Sequence, residues 1–504
     1  MQHHMPLHQN GKVYAWGLND CGQIANNLNA SLAYPTAVER IYGEELTDKI
    51  DSLQKNSSLS YINNCIREDG SILMNGRLTP GLQGYKLSGN MLYVDEFESS
   101  YLEITDRISY IKLNETKKLN TQVIENFNMF AKVPEIGNII WKSTNEDIAT
   151  VDQNGNVTAK KTGLTTIIAS EDKHGYKAMA KVYVTSNLEK TVTAPMVVQG
   201  TNFTGILKAD GTVWMAGAGT SGKLGQGDAT YRGELVQVKI DANTYLTDIV
   251  RISAGQHYML AVTKTGEVYA WGQNNNGQLG NGTTANEMYA IKMKNPEGTG
   301  DLTNIIDVSA GTNHSLMLAK DGKVYAVGYA NKYQLGINDT ATKTLPVEMD
   351  KIYNAVEISA GTEYSVVLRG DGVAFGVGSG AYGQTGLDET GTKTVITAMK
   401  GKNGNERTKD IISVQAGHVH TIALTEDGEA YVCGYNTNGQ LSQGTTTQSN
   451  KLIPALCKNE AGENIPLTGI ISVVAGDTHT FALTKAGEVY AARKQQLWTI
   501  RIRT

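Results

Sequence analysis

The sequence predicts an all-β protein in which short antiparallel four-stranded units repeat and a separate β-sandwich interrupts them. A glycine-containing turn recurs at Gly200, Gly255, Gly311, Gly361, Gly417 and Gly476, at spacings of 55, 56, 50, 56 and 59 residues. The composition, 54 Gly and 24 Tyr against 9 Pro and 6 Phe, suits many short strands joined by tight turns. One stretch inside the repeats alternates with period 2 and carries turns of its own.

The repeated unit is plain when its copies are set side by side: "SAGQHYMLAVTKTGEVYAWGQNNNGQLGNG", "SAGTNHSLMLAKDGKVYAVGYANKYQLGIN", "SAGTEYSVVLRGDGVAFGVGSGAYGQTGLD" and "QAGHVHTIALTEDGEAYVCGYNTNGQLSQG". In each, an apolar run meets a turn such as Asp321-Gly322 or Asp427-Gly428, and a second β-rich run such as "EVYAWG" follows. That is a hairpin, with one strand ("DIVRIS") before it and another ("YAIKM") after the glycine loop. Four short strands per unit of this length make a propeller blade.

Along the chain, "GKVYAWGLNDCGQI" (Gly11 to Ile24) is a partial copy that lacks a blade's earlier strands. A weak copy, "SLSYINNCIREDGSILMNG" (Ser58 to Gly76), keeps the EDG turn and loses the glycine loop. Five fuller copies start near Gly200, Gly255, Gly311, Gly361 and Gly417, and a last one runs through "AGEVYA" (Ala486 to Ala491). Joined to the first piece as one closing blade, the last copy gives an expected count of seven. The tail "ARKQQLWTIRIRT" matches no blade. Read one base on, its codons permit GQLG over residues 498–501, so the expectation is a frame-shifted blade, a protein that continues further, and a poorly packed tail.

Between the weak copy and the fuller ones lies "IIWKSTNEDIATVDQNGNVTAKKTGLTTIIASEDKHGYKAMAKVYV", period-2 strands separated by an Asn154-Gly155 turn and a turn at Gly163. This reads as a small β-sandwich. The expected organisation is 1–100 for the first blades, 101–187 for the sandwich and 188–504 for the remaining blades.

The loop "GAGTSGKLGQG", Gly217 to Gly227, satisfies both the GxGxxG fingerprint and most of a P-loop. Its Gly217, Gly222, Lys223, Leu224, Gly225 and Gly227 nevertheless fall on Gly272, Gly277, Gln278, Leu279, Gly280 and Gly282 of the next copy. Leu224 also stands where a P-loop needs Ser or Thr, and a strand follows where it needs a helix. The reading is a structural loop whose Gln and Leu pack against the neighbouring blade.

The pattern "AGxxHφφφLxxDGxVYxWGxNxxGQLG" resembles the repeat of the regulator of chromosome condensation family, over roughly residues 1–76 and 190–504. The resemblance implies a seven-bladed β-propeller. The inserted segment resembles the bacterial immunoglobulin-like domain, through Trp141, Ile148 to Val151, Asn154 to Ala159 and Gly163 to Ala169. That second resemblance implies a bacterial surface or secreted protein, extracellular or cell-surface in location, with no signal peptide visible and an N-terminus open to extension.

Catalytic, cofactor-binding and metal residues: none are assigned, and no cofactor is expected. His314, His420 and His479 share a repeat position with Phe203, Tyr258 and Tyr364, and a metal ligand does not exchange for Phe. They read as buried packing rings. Trp16 and Trp271 share a position with Ala216, Val327, Val377 and Cys433, a core position first and a carbohydrate platform second. Cys21, Cys65, Cys433 and Cys457 have neither zinc-site nor disulfide-framework spacing.

A net charge of -5 gives no basic field for nucleic acid, and no apolar run reaches the roughly 20 residues of a membrane span. The family's founder exchanges guanine nucleotide on a small GTPase and binds nucleosomes, but fold alone does not carry that across. The expectation is a monomeric, non-enzymatic binding or scaffold module, with a protein or carbohydrate ligand on its propeller loops. Nucleotide exchange or chromatin regulation is the alternative.

Overall fold

The computed structural model describes residues 101–124, 136–401, 408, 410–459 and 461–492 with their side chains, and strands elsewhere by backbone alone. Its contacts separate two units, Met1–Leu102 with Gln122–Gly137, and Glu103–Thr121 with Asn138–Thr504.

In the first unit, Tyr14–Gly17 pairs with Leu32–Ala37 as a two-stranded sheet, and Ile50–Leu53, Ile62–Arg67, Ile72–Gly76 and Leu92–Tyr93 form a four-stranded one. The weak copy thus makes a complete sheet. Trp16, Cys21 and Cys65 lie outside the residues described with side chains.

The second unit holds six repeated four-stranded antiparallel sheets. The second of them consists of Ile249–Ala254, Tyr258–Thr263, Val268–Gly272 and Glu287–Lys292. The first covers 196–237, and the third to sixth cover 305–348, 355–398, 411–454 and 470–500. With the sheet over 50–93, the repeated four-stranded sheets of the described residues number seven.

Each sheet keeps chain order, and its first strand neighbours the first strand of the next. The second strands Tyr258–Thr263, His314–Ala319 and Tyr364–Arg369 are buried along their whole length, because a sheet lies against each face. The core therefore sits between sheets. Leu260, Leu279 and Met293 of the second sheet pack with Val308, Met317 and Val327 of the third, each side chain contributing about 1.5–3 kcal/mol by its burial.

The repeat's conserved-looking letters have polar tasks at these seams. The Ser253, Ser309 and Ser359 hydroxyls of the SAG turns accept the N–H of Ala310, Ala360 and Ala416 in the following sheet, all at 2.9 Å. In the glycine loops, Gln278, Gln334, Gln384 and Gln440 accept a loop N–H on the side-chain oxygen. Their backbone carbonyls accept the hydroxyls of Ser315, Ser365, Thr421 and Thr480 in the next sheet. Gly272, at φ +106°, must be glycine because a Cβ there would lie 2.7 Å from the His257 carbonyl.

The tail differs from expectation. Gln496–Ile500 pairs antiparallel with Val489–Arg493 and completes the sixth sheet, which the sequence reading leaves without a later strand. The edge of Val489–Arg493 offers unpaired N–H and C=O groups, and an extended β-prone segment satisfies them through its main chain whatever its repeat pattern.

The interrupting segment is a two-sheet sandwich. Ile108–Lys112, Lys177–Thr185, Gly163–Glu171 and Ile139–Ser143 form one sheet in that order, and Thr116–Lys118, Asn156–Ala159 and Ala149–Val151 the other. Gly155, at φ +80°, makes the expected turn, where a Cβ would strike the Leu119 carbonyl and the buried Trp141 ring.

Candidate functional site

The residues that break the repeat most sharply occupy one position, the third residue of the first strand. It holds Arg251, Asp307 and Glu357 in the second, third and fourth sheets, and Ser413 and Ser472 in the fifth and sixth. Charges at the inner edge of a packed sheet need partners. The sandwich supplies them.

Its strand Lys177–Thr185 lies across these first strands. Lys181 is 2.9 Å from the Glu357 carboxylate and also donates to the Ile412 carbonyl, while Ser413 and Gln415 donate to the other Glu357 oxygen. Arg251 pairs with Asp307 at 2.9 Å and donates to the Tyr183 hydroxyl at 2.7 Å. Tyr183 stacks on Tyr110 at 5.3 Å, and Tyr110 donates to the Val250 carbonyl. Burial alone would lower the Arg251 pKa, but the Asp307 carboxylate and the two phenols more than offset it and hold the guanidinium fully charged. Burial pushes both phenols up, so neither ionises in the neutral range.

Further out, Arg107 donates to Asn354 at 3.0 Å and to the Asp321 carbonyl at 3.1 Å, and Lys177 pairs with Asp410 and Glu426. Ile168 and Met179 of the sandwich join the apolar cluster of Val356 and Ile412. The sandwich thus docks on the propeller face formed by the hairpin turns and the starts of the first strands. The opposite face, with the SAG turns and glycine loops, keeps Gln256, His418, Asn275, Asn331, Tyr382 and Thr437 exposed.

The tempting sequence motifs resolve into structure. Thr220–Gly222 is a three-residue 3₁₀ turn and no helix follows it. Lys223 is buried, with its amine on the Thr201 carbonyl at 3.3 Å and 5.5 Å from the Phe203 ring centre. His314 and His420 are fully buried and bond the next sheet, His314 Nε2 to Ser365 Oγ at 2.9 Å and His420 Nε2 to Thr480 Oγ1 at 3.0 Å. Tyr258, at the same repeat position, donates to the His314 carbonyl at 2.5 Å. Cys433 is a buried core thiol, pushed up to about 12 by that burial. The docking charges were the residues that repeat-by-repeat reading missed, although their shared position was a usable signal.

Comparison with known proteins agrees with this architecture. The family profile of the regulator of chromosome condensation (RCC1) repeat matches residues 265–318, 321–368 and 427–483, and a second profile of that repeat matches 2–23, 249–278, 305–334 and 411–440. The profile of the bacterial Ig-like domain (group 2) matches 116–182. The chain carries RCC1 repeats and a bacterial Ig-like domain.

Among similar proteins, the E3 ubiquitin-protein ligase HERC2 of Mus musculus is 26% identical over 62% of this chain, which spans only 5% of that protein's length. The ultraviolet-B receptor UVR8 of Arabidopsis thaliana is 29% identical over 55% of this chain and 60% of its own. The crystal structure of human WBSCR16 superposes with a TM-score of 0.50 at 20% identity, over 66% of this chain and 86% of that one, a likeness of fold.

Proposed function

We propose that this chain is a non-enzymatic binding and scaffold module of a bacterial surface or secreted protein. The observation that carries the reading is the fixed pairing of its two modules. The propeller's repeat-breaking charges face the Ig-like domain, and the polar groups of the repeats hold the seams, which leaves loops as the variable, solvent-facing surface. RCC1-type sheets give those loops a rigid frame, and an Ig-like domain of bacterial type suits an extracellular setting. The face with the SAG turns and glycine loops is the one left for a protein or carbohydrate ligand.

The rival reading, guanine nucleotide exchange by family analogy, has the fold alone behind it. One experiment separates the two. The labelled full chain is applied to protein and glycan arrays, and in parallel to small GTPases loaded with fluorescent nucleotide. Saturable array binding without accelerated nucleotide release is the expected outcome, and accelerated release would overturn the binding-module reading.

A further inference from the structure

The row of polar residues beneath the sandwich ends on a group that docking does not use. At the third position of the first strand, Arg251, Asp307, Glu357 and Ser413 all have polar partners. The corresponding residue of the sixth sheet, Ser472, lies in a cleft of about 210 Å³ between the sandwich and the seam of the fifth and sixth sheets. Asn145, Leu164 and Thr166 line its sandwich wall, and Asp427, Ile471 and Ser472 its propeller wall.

Both walls carry bonding capacity that the fold leaves over. Asn145 is 7% exposed, and its carboxamide oxygen accepts the Asp147 N–H at 3.2 Å while its Nδ2 donates to no group. Thr166 is 4% exposed, and only its backbone is bonded, the N–H to the Thr144 hydroxyl and the carbonyl to the Thr144 N–H. Asp321 and Asp371 each accept an N–H of their own hairpin turn, but in the fifth sheet the Thr425 hydroxyl takes the Glu429 N–H instead. Among the described residues, the Asn145 Nδ2, the Thr166 and Ser472 hydroxyls and the Asp427 carboxylate therefore have no hydrogen-bond partner. Unmet polar groups on residues this buried are costly, and a ligand that meets them recovers that cost. The cations around the cleft are already paired, Lys181 with Glu357, Lys177 with Asp410 and Glu426, and Lys485 with Asp147. An anion would face Asp427 without a counter-charge, and a cation would face the Asn145 donor. A neutral ligand whose groups both donate and accept suits all four.

We propose that this cleft binds one neutral pyranose sugar ring, held by the sandwich and the propeller together. Ring hydroxyls donate to the Asp427 carboxylate and accept from the Asn145 Nδ2, the Thr166 and Ser472 hydroxyls serve in either sense, and the apolar C–H edge of the ring meets Leu164 and Ile471. The volume is below the roughly 300–1,000 Å³ of drug-sized sites and suits a single ring. The cleft lies on the face of the hairpin turns, opposite the loops to which the proposed function assigns its ligand, so either assignment can fail without the other.

The probes are the methyl glycosides of glucose, galactose, mannose and N-acetylglucosamine, titrated by calorimetry into the full chain. At least one should saturate with a Kd of about 1 mM, the range open to a ligand of this size. Thr166→Val and, independently, Asp427→Asn alter groups that bond nothing in the free protein, so each should weaken binding at least about fivefold while circular dichroism and Tm stay unchanged. A disaccharide ending in the same sugar identifies the source: equal affinity marks a glycan terminus, and affinity at least about tenfold weaker marks a free sugar. No saturation by about 50 mM with any of the four glycosides, or unchanged affinity in either folded variant, would overturn the proposal.

Discussion

At the scale of single residues, positions where one copy departs from its siblings expose what the fold needs. Lys223 stands where Gln278, Gln334, Gln384 and Gln440 each accept a loop N–H, and its amine is held below the usual lysine range by burial. The folded state therefore binds that proton less readily than the unfolded chain, and the charge costs stability at neutral pH. Lys223→Gln should stabilise by about 1 kcal/mol in urea unfolding, and should leave any nucleotide binding measured by titration unchanged, since the amine is turned inward onto the Thr201 carbonyl. His314 and His420, pushed down to about 4 by burial, titrate with the same sign. Below about pH 6.5 the unfolded chain takes up protons that the folded rings refuse, so stability falls as pH drops toward 4, by up to roughly 3 kcal/mol for each ring. His314→Tyr should remove one ring's share of that slope. Tyrosine fits there because Tyr258 and Tyr364 occupy the same position beside Gly255 and Gly361. A slope unchanged by the substitution would show that the ring is protonated in the folded state. The burial of His314 and His420 was legible in the sequence, because a position exchanged among His, Tyr and Phe is a packing position first. The bonds their rings make to Ser365 and Thr480 were not, and His479 at the same position is only half-buried.

At the scale of elements, the strands and their turns were legible for the same reason. A period-2 run, an Asp-Gly turn and a glycine loop recur often enough that each copy checks the others. The docking of the Ig-like sandwich was not, since nothing in one dimension links Lys181 to Glu357 or Tyr183 to Arg251. The partners lie far apart in the chain and belong to different repeats, so only the three-dimensional arrangement pairs them. Their energetics make a prediction. Lys181→Ala leaves the Glu357 carboxylate, 10% exposed, without its counter-charge, and breaking a buried pair in this way costs roughly 3 kcal/mol. Glu357→Gln in the same chain removes the orphaned charge while its oxygen still accepts from Ser413 and Gln415, so the double variant should recover most of the loss. Trypsin cleavage at exposed Lys190, in the connector beyond the docking strand, should speed up in the single variant and slow again in the double. Equal cleavage in all three would mean that the ion pair contributes nothing to docking.

At the scale of the whole molecule, successive repeated sheets of the second unit are joined by short-range seam bonds between neighbours, and this sets how a disturbance spreads. From the second sheet to the fifth, the second strand reaches the next sheet: Tyr258 to the His314 carbonyl, His314 to Ser365, Tyr364 to the His420 carbonyl, and His420 to Thr480. Each sheet thus answers chiefly to its immediate neighbours, as in other repeat architectures whose stability is a sum of unit and interface terms. Tyr364→Phe tests this. The phenol is buried and is bonded both to His420 O and to the Thr421 hydroxyl, so removing it leaves a buried carbonyl short of a donor at a cost of about 1–2 kcal/mol. In native-state hydrogen exchange, amides of Tyr364–Arg369 and His420–Thr425, the two strands that share the lost bond, should exchange faster. Those of Phe203–Leu207, three sheets away along the row, should keep their wild-type rates. Uniform acceleration across all of these strands would instead mean that the sheets open as a single cooperative unit, and that the interfaces between them are stronger than the sheets themselves.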